Sequence, residues 1–439
     1  MQIAIRWQTV PVLELHMPCR TCSVYMNHRP AMSISTDCPK VLTSVQALSN
    51  AAFLGLLGRA LGQLDAIPKG FSTDKCAGVS NQEPLLAVIP GTFNRSNFDA
   101  PCAAVVSDER VAAINQQINQ TSFIAYDERF FDIIGPDATI EKLIDLPFQV
   151  HEAPCHTPEQ DKLFFYLLDL KTNGLIGLRT NPPTWNIHGC VHCEGKLHVV
   201  TDGGPKEVPY LATIDPKTWD RTTLLNNYYE RPFISFNDIE MDREGNYYLT
   251  DSLSGQSRHL NPYSPLTAPM VYFVDGKTLH PKQLTYLPGN ANGITLSPDG
   301  KTLYLADTGS SRVVTVRRDE LGYRDLWAFN FAISSVGKKL PLLTNKRLLT
   351  RATEYFYDGI RASRNGYVFG AGGSAIDVID PESGWILESL RFGSGGQDPV
   401  NIVFGQHEMW AVGKGGVCHI KNVRDMLAHN YKRCSSSEA

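Results

Sequence analysis

The sequence predicts an all-β fold, a six-bladed β-propeller preceded by a non-repeating N-terminal extension. Three observations predict it: a hairpin pattern recurs along the chain, a further strand-like piece follows each copy, and helical periodicity is scarce between residues 120 and 420. The pattern runs polar residue, short apolar strand, turn rich in Asp and Gly, then a second strand ending in a small or acidic residue. It is clearest in "SFNDIEMDREGNYYLTD" (235–251), "ANGITLSPDGKTLYLADTG" (291–309) and "YDGIRASRNGYVFGAGG" (357–373). Looser copies occupy 150–169, 187–204 and 400–416, which makes six units spaced roughly 35–65 residues apart, as propeller blades are. Pieces such as "APMVYFVDGKT" and "SAIDVIDPESGWILESLRF" supply the outer strands. A parallel α/β sheet would need helices between its strands, and only "VRDMLAHNYKR" near the C-terminus has a helical pattern.

Taken in order, residues 1–85 read as an extension or leader, 86–425 as the propeller and 426–439 as a tail. Within the extension, "NAAFLGLLGRALGQLDA" (50–66) suits an amphipathic helix or, with a start at Met32, a poor signal core that Arg59 interrupts. Residues 86–121 are expected to cover one face of the propeller. "ATIEKLIDLPF" (138–148) is expected to supply the outer strand that closes the ring onto the last blade, protecting strand edges from stray pairing.

Bulk chemistry narrows the partners. A net charge of -4 without a long basic run argues against nucleic acid. The absence of about 18 uninterrupted apolar residues argues against a membrane span, and a small-molecule substrate is the expected partner on the family resemblance given below. Ten scattered cysteines do not form a miniprotein disulfide framework. The patterns Asn94-Arg95-Ser96 and Asn119-Gln120-Thr121 are glycosylation acceptors only if the chain is secreted, and the compartment stays open between secretory and cytoplasmic.

Each unit has an anchor where its inner strand begins: Glu152, His188, Asn237, Asn292, Asp358 and Asn401. Inner strands line the central channel, so equivalent residues converge on the axis. Glu152, Asn237, Asn292 and Asp358 would bring two carboxylates and two amide oxygens together. Two converging carboxylates repel, and a divalent cation relieves the repulsion. An all-oxygen set with Asn among the ligands favours calcium. Taken singly, each of these residues also suits a β-turn cap; their recurrence at one position of a repeat favours the metal site.

The chain resembles the gluconolactonase/senescence-marker-protein superfamily, and more closely its fungal lactonohydrolase branch, over roughly residues 122–420. The resemblance shows in "SFIAYDERFFDIIG", "VHEA", "TTLLNNYYERPFISFNDIEMDREGNYYLTDS", "ANGITLSPDGKTLYLADTG" and "YDGI". It implies a six-bladed propeller with one divalent metal, often calcium, at the channel mouth, held by Glu152, Asn237, Asn292 and Asp358. It further implies lactone hydrolysis: the metal polarises the carbonyl and stabilises the oxyanion, and Asp358 serves as general base and then as acid for the departing ring oxygen. Asn237 and Asn292 are then also substrate contacts. His188, facing the channel, is a candidate to bind substrate or relay a proton, and His151 a candidate support for its neighbour Glu152. Asp307 is expected to cap a turn. Asp238, pointing away from Asn237 by strand alternation, is expected to brace the neighbouring blade.

"HGCVHC" (188–193) invites a zinc reading, but alternation separates Cys193 from His188, Cys190 and His192, which favours core packing or a disulfide. The second-blade motif is Asn/Gly-rich in the fungal branch and His188-Gly189-Cys190 here. Ala291 stands where Pro usually precedes "NG". These departures bear on substrate identity. Relatives in fungal natural-product pathways also perform hetero-Diels–Alder cyclisation, which needs a shaped apolar pocket rather than an activated water. Trp185, Phe236, Tyr355, Phe356 and Tyr357 are the aromatics such a pocket would use. A propeller serving only as a binding platform is disfavoured by the converging carboxylates.

Overall fold

The computed structural model describes residues 76–78, 121–146, 152, 154–164, 167–261, 268–312, 317–333, 340–392 and 398–428. Expectations for the rest of residues 1–120, including 50–66, Asn94 and Asn119, and for His151, lie outside the described residues. Six antiparallel blades follow in chain order. Blade 1 spans Cys155–Ile176, blade 2 Ile187–Leu225 and blade 3 Phe236–Tyr286. Blade 4 spans Ala291–Arg351, blade 5 Ile360–Arg391 and blade 6 Asp398–Lys421. Their innermost strands each pack on the next, and that of blade 6 returns to that of blade 1, so the ring is closed. The six inner hairpins are the six repeats of the sequence.

Ring closure comes from the segment expected to provide it. Thr139–Ile144 pairs antiparallel with Val417–Lys421 and becomes the fourth strand of blade 6. One further pairing was not expected: Phe123–Ala125 adds to the outer edge of blade 5, and Cys76–Gly78 lies parallel to it. The helical pattern at the C-terminus fails over its described part. Residues 423–428 are irregular, pinned by N–H bonds from Val423 to the His407 carbonyl, Leu427 to Gln406 and Ala428 to Gly405. Those bonds replace the local ones a helix would make, so tertiary context overrides propensity.

The core is distributed between blades. Tyr272 and Phe236 of blade 3 pack with Val200 and Leu211 of blade 2. Trp410, Val412 and Val417 of blade 6 pack with Leu163 and Leu168 of blade 1. The four other junctions carry comparable apolar clusters. Each blade is therefore apolar on both faces, which explains the near-continuous burial of Phe236–Met241 and Ala291–Leu296. Among the described residues no helix is long and apolar enough to cross a membrane.

Candidate active site at the channel mouth

The strand sequences place the anchors through a repeated irregularity. In blade 3, Phe236 pairs with Asp251 and Ile239 with Leu249, so Asn237 and Asp238 together face the single residue Thr250. In blade 4, Asn292 and Gly293 share one step opposite Ala306 in the same way. Blades 2 and 6 shift register between Ile187 and Gly189 and between Pro399 and Asn401. Such bulges re-aim side chains and break strict alternation, and here they sit at the start of the inner strands of blades 2, 3, 4 and 6. Gly293 is needed for close approach: a Cβ there would lie 2.1 Å from the Asp358 carbonyl oxygen. That carbonyl accepts the Gly293 N–H at 3.0 Å, while the Asp358 N–H donates to Ala371 at 2.7 Å, so the Asp358 backbone is held from both sides.

Glu152, Asn237, Asn292, Asp358, His188 and Asn401 are all buried. The Asn401 amide donates to Glu152 Oε2 at 2.5 Å, joining blade 6 to the residue that precedes blade 1. Burial pushes the Glu152 carboxyl up to about 8, against the Asn401 amide; Asp238 adds to the rise, and a hydrogen bond with Asp358 opposes it. Glu152 and Asp358 therefore meet side by side. The Asn237 and Asn292 Oδ1 atoms are buried acceptors with no hydrogen-bond donor among the described residues. Two carboxyls and two undonated amide oxygens are the donor types that a hard divalent cation takes. Among the described residues no three His, Cys, Asp or Glu side chains form a group that could hold a metal ion.

Asp238 braces neighbouring blades. Its Oδ2 accepts the Ile294 N–H at 3.2 Å and Arg361 Nη1 at 2.8 Å, linking blades 3, 4 and 5. Burial opposes the Arg361 charge, but Asp238 more than compensates and holds the guanidinium above its usual range. Asp307 caps its turn, accepting the N–H groups of Asn290 at 2.9 Å and Gly309 at 3.0 Å. In the "HGCVHC" run, Cys190 is bonded to Cys155 and Cys193 is also in a disulfide, so both sulfurs serve as cross-links. His192 lies 3.8 Å from Glu159.

Two site residues were not singled out from sequence. Asp202, at the end of the second strand of blade 2, is fully buried, and its Oδ2 lies 3.9 Å from His188 Nε2. Arg258, just after the short helix Ser254–Ser257, pairs with Asp202. Burial lowers the Arg258 pKa, and the charges of Glu152 and Asp358 oppose that fall. The only hint in the sequence was the recurrence of Asp at the ends of "VVTD", "YLTD" and "YLAD".

Of the aromatics named for a cyclisation pocket, Tyr355 and Tyr357 line one cavity. Phe236 is fully buried against Phe233, and the Tyr357 hydroxyl donates to buried Asp377 at 2.7 Å. The Tyr355 and Phe356 rings lie 4.1 Å apart between centroids and are tilted by 35°, and Trp185 is exposed.

Comparison with known proteins agrees with this architecture. The model of the SMP-30/Gluconolactonase/LRE-like region matches residues 187–411. The chain is 30% identical over 386 residues to the lactonohydrolase oryL of Aspergillus oryzae, covering 79% of this chain and 86% of that protein. It is 24% identical over 394 residues to the lactonohydrolase oryH of the same organism, covering 70% and 81%. In fold it is similar to a gluconolactonase from Xanthomonas campestris, with a TM-score of 0.54 at 19% identity, covering 68% of this chain and 93% of that one. On the extent of these matches, the chain belongs to the SMP-30/gluconolactonase/LRE-like family.

Proposed function

We propose that the protein is a divalent-metal-dependent lactone hydrolase, with calcium as the metal. The observation that carries this reading is the pair of buried, undonated oxygens Asn237 Oδ1 and Asn292 Oδ1, set on the ring that also brings Glu152 against Asp358. The names of the two fungal relatives support the reaction class. Glu152, Asn237, Asn292 and Asp358 hold the cation, which when bound supplies Lewis-acid polarisation of the ester carbonyl.

The remaining chemistry belongs to the chain's own residues. Asp358 accepts a proton from the attacking water as the new C–O bond forms. As the ring C–O bond breaks, the same proton passes to the departing ring oxygen, from Asp358 directly or through His188, so that a hydroxy acid leaves. Asp202 lies within 3.9 Å of His188 Nε2 and biases the orientation of its ring. Asn237 and Asn292 orient substrate beside the cation, and the buried walls of the inner strands limit water to the reacting molecule.

The test is hydrolysis of a broad lactone panel by purified protein with calcium, with chelator, and after calcium is restored. Activity is expected to vanish with chelator and return with calcium. Asp358→Asn should lower kcat by about 10²-fold or more, the usual range for loss of a general acid–base group. Failure to open any lactone with calcium present would overturn the reading.

A further inference from the structure

The ends of the second strands provide an internal comparison between blades. In blade 3, Asp251 accepts the N–H groups of Ile234 and Ser235, the main chain leading into its own inner strand. In blade 4, Asp307 does the same for Asn290. In blade 2 the residue in register with Asp251 and Asp307 is Thr201; Asp202 follows it, and its carboxylate is turned toward side chains at the start of blade 3. The Ser235 and Ser254 hydroxyls donate to Oδ1, the latter at 2.7 Å, and Arg258 pairs with Oδ2. Ser235 Oγ in turn accepts the Gly255 N–H at 2.9 Å, and the Asn261 amide donates to the Asp202 and Ile234 carbonyls. The loop that carries Arg258 is thereby fastened around one fully buried carboxylate.

This arrangement fixes a guanidinium at the site. The Arg258 side chain is 35% exposed while Asp202 is sealed, and the guanidinium lies in the fields of Glu152 and Asp358. A guanidinium has five N–H donors in a rigid fork, and Asp202 Oδ2 occupies one edge of it. The Asp202 charge is spread over two serine hydroxyls as well, so Arg258 is oriented without being fully neutralised. A fork held in this way beside a reaction centre matches a second planar anion, a carboxylate.

We propose that Arg258, positioned by Asp202, is the specificity residue of the site, and that the substrates are lactones bearing a carboxylate separate from the ester. This rests on the lactonase reading and adds a substrate class to it. The test compares γ-butyrolactone-3-carboxylate with the corresponding carboxamide, both with calcium. Wild-type protein should favour the acid by roughly 30-fold in kcat/KM, the scale of a charged hydrogen bond. Arg258→Gln should bring that ratio close to one, and Arg258→Lys, which keeps the charge but not the fork, should retain part of it. A wild-type ratio near one overturns the proposal. So does a ratio that survives Arg258→Gln while both rates fall together, the signature of a structural role or of contact with the ester common to all lactones. If no lactone of the broad panel is opened either, the lactonase reading fails separately. Calorimetry with the ring-opened hydroxy dicarboxylate and its monoamide then decides the anion subsite, and equal affinities overturn it.

Discussion

Asn237 and Asn292 each present a buried amide oxygen without a donor at the same step of neighbouring blades. An unpaired buried acceptor costs roughly 1–3 kcal/mol, so a pair at one place marks a site where something outside the chain completes the bonding. Asp251 shows the opposite economy, with two main-chain donors on a sealed carboxyl. Burial nevertheless pushes it up to about 7, with the Ser235 and Ile234 N–H groups opposing. Its folded value lies above the unfolded one, so the folded state holds this proton more tightly and the residue's contribution to stability falls as pH rises from about 4 to about 7. Asp251→Asn removes that titration. The melting temperature of the variant relative to wild type should therefore climb between pH 4 and pH 7 and level off above. A gap independent of pH would mean that Asp251 is ionised throughout.

At the scale of elements, much of the fold could be read directly. Six hairpins, the closing strand at 139–144 and the bracing role of Asp238 follow from pattern, because apolar alternation and turn residues are local properties. The bulges could not be read. Whether Asn237 and Asp238 occupy one ladder step or two is decided by the register with Tyr247–Asp251, and the local residues are compatible with both. Arg258 was hidden for a related reason: it lies on a loop of blade 3, and its meaning comes only from Asp202 on blade 2. The disulfide Cys155–Cys190 likewise joins two blades, three residues after Glu152 and two after His188, across a separation of 35 residues. Chain entropy for a loop of that size gives about 4 kcal/mol. Cys155→Ser with Cys190→Ser should lower the denaturation free energy by an amount of that order and reduce turnover by loosening Glu152 and His188. Unchanged stability would show that the adjacent strands already fix each other.

For the molecule as a whole, closure is the controlling property. The last apolar cluster joins blade 6 to blade 1 through Trp410, which is 1% exposed. Trp410→Ala should cost about 3–5 kcal/mol in a single unfolding transition, because opening one junction exposes strand edges on both sides. A separate early transition would show that blades 6 and 1 form an independent unit. Closure also bears on the proposed site, because its four residues come from around the ring and would meet only if the ring is complete. The central claim is that they meet to hold a cation, and calcium titration by calorimetry of the purified, chelator-stripped chain tests it most directly. One equivalent per chain is predicted for wild type, with binding lost in a Glu152→Gln, Asp358→Asn double variant that keeps the wild-type fold by circular dichroism. No saturable binding to wild type, or undiminished binding to the double variant, would contradict it.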